Sequence, residues 1–293
     1  MNNHIIRCVA LALVVFALAA CGDDLQPTQP QDPKSTPMTF VVDYPGQTRA
    51  TATDFERNDH IGLYVADAKE PLELAGNLVN NEALTFDGNK WEAGRTLYWD
   101  EGTYNAYYPY MQDVTSVTDQ PFSVSTDQST RKTATALGGY EASDLLFATT
   151  KDVKASDSPV RLTFKHIMSK LKIRLIKGED FEGDMPTTAK VYIHNTVPTA
   201  TIDLQAGVAT RYVKGTRQTI VAHQDGDTSY SAIIVPQRID NRQPLVEVEM
   251  MGVSYLFESK FLFKPGTEHL VNLVISENPD KVKINIGGEK QNW

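Results

Sequence analysis

Short runs of period-two alternation constrain this chain more than any other feature. Such a run buries one face of a strand and leaves the other to polar surroundings. Met38, Phe40, Val42 and Tyr44 share one parity, with Thr39 and Asp43 on the other. Residues 160–164 and 170–175 alternate as cleanly, and residues 281–286 set Val282, Ile284 and Ile286 against Lys281, Lys283 and Asn285. Further strand-like runs lie at 61–65, 96–99, 104–110, 145–148, 190–194, 200–204, 230–235, 245–251, 253–257, 261–263 and 270–275. Turn residues separate them, among them Asp87-Gly88, Glu101-Gly102, Gly252 and Pro265-Gly266. No stretch keeps a 3.6-residue period over ten residues. Many short strands at this spacing predict an all-β body of sandwich or barrel type.

The 293 residues suffice for two such bodies. A polar break at 151–159 sets the boundary, which predicts one β-sandwich over 38–155 and a second over 156–293. Residues 111–143 are polar and irregular and read as a long loop. Lys170, Lys172 and Arg174 fall on one parity and read as a solvated sheet face, not as an anion site.

Residues 1–37 are of another kind. A short polar start with Arg7 precedes an apolar run of 13 residues, 8–20. A membrane-spanning helix needs about 17–25 residues, so the run fits an export leader. It closes on Leu18-Ala19-Ala20-Cys21-Gly22. Small residues before a cysteine, directly after such a run, match the bacterial lipoprotein signal. This predicts a signal peptide over 1–20 and acylation of Cys21. One acyl chain binds membranes only marginally and two or more hold, so acylated Cys21 would anchor the chain in outer-membrane lipid. Asp23-Asp24 resembles the acidic signal that sends lipoproteins to the surface of some Gram-negative anaerobes; it suits a solvated spacer equally well. Four prolines between 26 and 37 leave no room for helix or strand. Residues 21–37 therefore read as a disordered tether of roughly 50 Å at about 3.1 Å per residue.

The net charge is −9, and Arg7 is the leader's one charged side chain, so residues 21–293 carry −10. No basic stripe meets phosphates, which argues against a nucleic-acid partner. The two cysteines are Cys8 and Cys21. Leader removal and acylation leave no thiol for catalysis, iron–sulfur clusters or zinc. G-x-S-x-G, H-E-x-x-H, the phosphate loop and G-x-G-x-x-G are absent. The six histidines are scattered; His166 reads as a buried packing residue and Asp59-His60 as a turn. Glu247 and Glu249 share the outer parity of one strand, about 7 Å apart at Cα, but nothing places them across a cleft. No enzymatic activity, cofactor or metal is expected. Trp91, Tyr98, Trp99, Tyr104, Tyr107, Tyr108 and Tyr110 crowd into twenty residues. They either pack a core or form a sugar-stacking platform, and the second option motivates an alternative reading as a monomeric glycan-binding surface lipoprotein.

Several segments together resemble the fimbrillin family of pilus subunits from Gram-negative gut and oral anaerobes. They are Thr48-Arg49, Asn58-Asp59-His60-Ile61-Gly62-Leu63-Tyr64, Tyr104 to Tyr110 with its Tyr-Tyr-Pro-Tyr, and Ser143-Asp144-Leu145-Leu146-Phe147-Ala148. Residues 162–171, Ala232-Ile233-Ile234-Val235-Pro236-Gln237 and the Pro-Gly entry at 265–275 continue the match. The resemblance implies two transthyretin-like β-sandwich domains. It also implies lipoprotein export, proteolytic trimming and polymerisation into surface fimbriae that support adhesion or biofilm formation. Partners would be other fimbrial subunits joined by strand addition, with a host protein or glycan as adhesion target. In pilin-forming members an arginine-specific protease cuts behind the first strand, and the matching bond here joins Arg49 to Ala50. Met38, Phe40, Val42 and Tyr44 would be the inward residues removed. A donor strand would lie at 281–287, with Val282, Ile284 and Ile286 facing the acceptor. Arg57 is a second cleavable arginine, and the 281–293 tail could equally complete its own sheet. A lipid-retaining anchor that keeps its first strand is a further role within such a system.

Overall fold

The computed structural model describes residues 35–45, 55–156 and 158–293. Cys21, Arg49 and Ala50 lie outside the described residues. Among the described residues, strands run in the order β1 (Phe40–Asp43), β2 (His60–Asp67), β3 (Val79–Phe86), β4 (Trp91–Ala93), β5 (Gly102–Tyr108), β6 (Gln120–Ser123), β7 (Leu146–Val153), β8 (Val160–Thr163), β9 (Lys165–His166) and β10 (Ser169–Lys177). They continue as β11 (Lys190–Thr196), β12 (Thr199–Asp203), β13 (Val208–Arg211), β14 (Gln218–Val221), β15 (His223–Gly226), β16 (Ser229–Ile234), β17 (Gln237–Met250), β18 (Val253–Phe263), β19 (Thr267–Ile275) and β20 (Lys283–Gln291). One five-residue helix, Gly139–Ser143, precedes β7.

Alternation explains where these strands bury themselves. In β10, Leu171, Ile173 and Leu175 point into the core while Arg174 stays exposed. The β17–β18 hairpin closes on Met251 and Gly252 with φ of 51° and 75°. Two positive φ values in a two-residue loop make the primed turn that matches strand twist. Strands 253–257 and 261–263, separate in the sequence pattern, fuse into the single β18.

The strands form four sheets of three to six strands and one two-stranded pair. The six-stranded sheet has the order β4-β3-β2-β5-β7-β9, and the three-stranded sheet β13-β12-β6. The five-stranded sheet is β15-β16-β10-β19-β20, the four-stranded one β14-β11-β17-β18, and β1 pairs with β8 alone. Strand structure is as expected, but two transthyretin-like β-sandwich domains are not what the strands build. The described residues gather instead into one compact unit of small sheets. The physical reason lies in the six-stranded sheet, which is buried on both faces. Ile61, Leu63, Val65, Tyr104, Ala106 and Leu146 face one apolar cluster roofed by β1 and β8. Tyr64, Ala66, Tyr107 and Phe147 face the other, which runs on through the remaining sheets. The β12–β13 turn rests on this second face: a Cβ on Gly207 would come within 2.1 Å of the Phe147 ring. A sheet with no solvated face does not end a domain of its own.

Two local expectations change as well. Residues 111–143 include β6 and the short helix, and they are tied down by amide side chains. Gln128, fully buried, donates to the Ile233 carbonyl (2.7 Å) and accepts from the Ile233 N–H (2.8 Å), so one side chain takes the place of a strand partner. Such pairing leaves no alternation in the sequence. Lys170 does not join a solvated face: its side chain is 15% exposed and bonds Glu268 at 3.1 Å.

Candidate functional site

The first strand sits where the sequence pattern puts an inward strand, on a single partner. β1 runs parallel to β8 in the register Phe40 to Val160, Val41 to Arg161, Val42 to Leu162 and Asp43 to Thr163. The Val160 N–H donates to the Thr39 carbonyl (2.9 Å) and the Phe164 N–H to the Asp43 carbonyl (3.0 Å). Just before the strand, the Met38 N–H donates to the Leu97 carbonyl at 2.7 Å. Met38 and Phe40 are buried, while Val42 and Tyr44 are half-buried against the same cluster. Burying Met38 and Phe40 contributes roughly 3–6 kcal/mol at about 1.5–3 kcal/mol each. The Arg161 guanidinium reaches both Asp43 carboxylate oxygens at 2.7 Å, but the pair is largely exposed and is worth about 1 kcal/mol at most.

The chain on either side of residues 46–54 is closed by rings. Tyr44 and Phe55 meet edge-on at 5.1 Å. Phe55 in turn meets Trp91, Tyr108 and Phe164 at 5.0, 5.4 and 5.7 Å. Desolvation pushes the Tyr44 phenol above its ordinary pKa, and the Asp144 carboxylate adds to it. A cleft of about 400 Å³ runs beside the strand between Phe40, Val42, Tyr44, Phe55, Phe86 and Trp91. Arg57 is exposed in the turn that follows.

The last strand, β20, lies antiparallel to β19 at the edge of the five-stranded sheet. Val282 and Ile284 are half-buried against the large cluster, and Ile286 is 61% exposed. A bulge divides the strand where Val271 faces Ile286 and His269 faces Glu289. Beyond it, the Lys264 ammonium bonds Glu289 at 2.6 Å and the Gln291 amide donates to Thr267 Oγ1 at 2.8 Å. The Lys264 bond holds the Glu289 carboxyl below its ordinary pKa. β1 and β20 therefore share no sheet and differ in sense, one parallel to its partner and one antiparallel.

The remaining candidates are taken up by packing. Trp91, Trp99, Tyr104, Tyr107 and Tyr108 are buried, Tyr110 is half-buried, and Tyr98 alone of the seven rings is half exposed. No flat aromatic platform exists there. Glu247 bonds His194 (2.9 Å) and Ser254, and Glu249 accepts from the Tyr192 hydroxyl (3.0 Å). The Ser254 hydroxyl first, and His194 next, hold Glu247 below its ordinary pKa. His60 pairs with Thr85 at 2.8 Å, and Asp59 is buried against Lys132, also at 2.8 Å. Among the described residues no three His, Cys, Asp or Glu side chains gather as a metal site. Phe55 and Trp293 are the site residues that alternation could not mark, because neither lies in a strand. Their signal is a large ring in an otherwise polar stretch.

Residues 48–293 match the fimbrillin-like family, and the chain belongs to that family. Solved structures of similar fold include a candidate cell-adhesion protein from Bacteroides uniformis, 22% identical over 81% of this chain and 93% of that one, with a TM-score of 0.64. A candidate cell-adhesion protein from Bacteroides ovatus is 20% identical over 88% of this chain and 98% of its own, with a TM-score of 0.65. A fimbrial protein from Bacteroides ovatus is 17% identical, with 82% of this chain and 48% of that one aligned at a TM-score of 0.52. At these identities the likeness is one of fold. No curated protein matches the chain. Membership in this family is that of a non-catalytic, structural protein.

Proposed function

We propose that this chain is a fimbrial subunit, exported as a lipid-anchored precursor through Cys21 and assembled at the cell surface by strand exchange after cleavage between Arg49 and Ala50. Family membership supports the general role of a fimbrial or adhesion subunit. The observation that carries the mechanism is the way β1 is held. It has one strand partner, four register pairs and two buried side chains, and Arg49 lies in the segment that joins it to Phe55. A cut there leaves β1 attached to the body by non-covalent contacts only. Its departure would uncover Phe55, Val160, Leu162 and Phe164 as an apolar groove. Backbone hydrogen bonds and alternate side chains of an incoming strand would refill it. The strand at 281–287, with Val282, Ile284 and Ile286, is the candidate donor.

A second reading is a lipid-retaining anchor. The observation that favours it is that β20 already completes its own sheet while β1 is in place. A host protein or glycan remains the class of adhesion target, but the ring cluster at 91–110 no longer motivates a glycan. Treatment of the purified chain with an arginine-specific protease tests the assembly reading. Wild-type protein should lose residues up to 49 and form a ladder of oligomers, and Arg49→Ala should stay monomeric. Oligomers formed equally by Arg49→Ala would refute it, and a surface protein that always begins at acylated Cys21 would favour the anchor.

A further inference from the structure

Two residues beyond β20, Trp293 is seated in the core rather than left in solvent. Trp293 is 8% exposed and stacks on the His166 ring at 3.9 Å between centroids and 15° between planes. Its carbonyl oxygen lies 3.1 Å from His166 Nε2, and His166 Nδ1 lies 2.8 Å from Asp144. The Lys170 ammonium stands 5.9 Å over the indole. Burial disfavours that charge, yet the Tyr140 phenol and the Glu268 carboxylate outweigh it and raise the Lys170 pKa. Asn292 adopts φ of 47° and donates its N–H to the Gly266 carbonyl at 3.0 Å. Asparagine tolerates that left-handed conformation, and the chain turns inward there. On another side of the imidazole, Tyr44 meets His166 edge-on at 6.0 Å. The end of β1 and the end of β20, which share no sheet, thus converge on one histidine.

We propose that His166, Asp144 and Lys170 form a binding site for the chain's own Trp293, shuttered by Tyr44, so that departure of β1 loosens β20. The ligand is the Trp293 indole together with its backbone carbonyl. Its recognition combines ring stacking, a cation over the aromatic face and a hydrogen bond from the imidazole to the Trp293 carbonyl oxygen. The use of this seat in assembly rests on the removable first strand proposed above. The seat itself belongs to the uncut chain.

Amide hydrogen exchange on the full, uncut chain tests the proposal without requiring cleavage or polymerisation. Trp293→Ala should speed exchange across 283–291 by roughly tenfold, through local opening, and Trp293→Phe, which keeps a stacking ring, by clearly less. Tyr44→Leu, a change outside β20, should speed the same amides by roughly threefold. Residues 169–177 and 229–234 should keep wild-type rates in all three variants. Wild-type exchange at 283–291 in Trp293→Ala or in Tyr44→Leu overturns the proposal. So does a general rise that includes 169–177, since Trp293 would then be an ordinary core residue. Failure of the protease assay to yield oligomers would leave these exchange results standing, so the two ideas fail separately.

Discussion

Among the described residues β1 and β20 each have one strand neighbour, and they are held in opposite ways. β1 is short, parallel to β8, and fixed by Met38 and Phe40 driven into the core. β20 is longer and antiparallel, with most of its side chains in solvent. Backbone pairing, the Lys264–Glu289 bond and the Trp293 seat secure it. The difference bears on what each strand leaves behind. A strand held by its side chains leaves a hydrophobic groove when it goes. A strand held by its backbone leaves a sheet edge, and is itself a segment able to pair elsewhere. On the proposed mechanism the first would act as a plug and the second as the strand offered.

Stability measurements on the uncut chain sharpen that contrast. Phe40→Ala should lower the unfolding free energy by about 3–5 kcal/mol in denaturant titration, as loss of a buried ring does. A fall below about 1 kcal/mol, the range of an exposed site, would erase the distinction between the strands. In β20, Ile284→Ala should cost about 1–2 kcal/mol and Ile286→Ala less than about 0.5 kcal/mol, since one is half-buried and the other exposed. In a donor role both would face the acceptor, so both variants should weaken subunit association. An effect of Ile284→Ala alone on association would place β20 in its own sheet throughout.

Acid should loosen the second strand before the first. Burial lowers the His269 pKa, with Glu289 and Lys264 facing the ring in opposite senses. A histidine depressed in the folded state contributes stability that is full above its unfolded pKa of about 6.5. That stability is lost as pH falls toward the folded value. The depressed Glu289 acts in the same direction, its contribution present above about pH 4.5 and lost below its folded value. Thermal stability should therefore decline from pH 7 to pH 5 by less than the Phe40→Ala effect, and His269→Asn should flatten the slope. A slope of the same size in His269→Asn would move the titrating group away from β20.

Much of this was legible in the residues. The parity of Met38, Phe40, Val42 and Tyr44 gave the inward face of β1; residues 160–164 alternate too, but their pairing with β1 crosses the expected domain boundary and was not legible. β3 and the strands within 205–226 were missed, since Asn80, Asn81 and Glu82 or Arg211 and Gln218 break any apolar period. The two-sandwich expectation failed at the six-stranded sheet. Tyr64, Tyr107 and Phe147 lie on a face of that sheet which the rest of the core covers. Alternation reports that a residue has a face and is silent on what packs there. The meeting of Tyr44, His166 and Trp293 joins residues more than a hundred positions apart, and no local pattern encodes it.

The most direct test of the plug is the amino terminus of subunits inside assembled fibres. Fibres purified from the producing cells should yield subunits that begin at Ala50, with no peptide covering residues 38–44 by mass spectrometry. Fibre subunits that still carry residues 38–44, or that begin at acylated Cys21, would contradict the account.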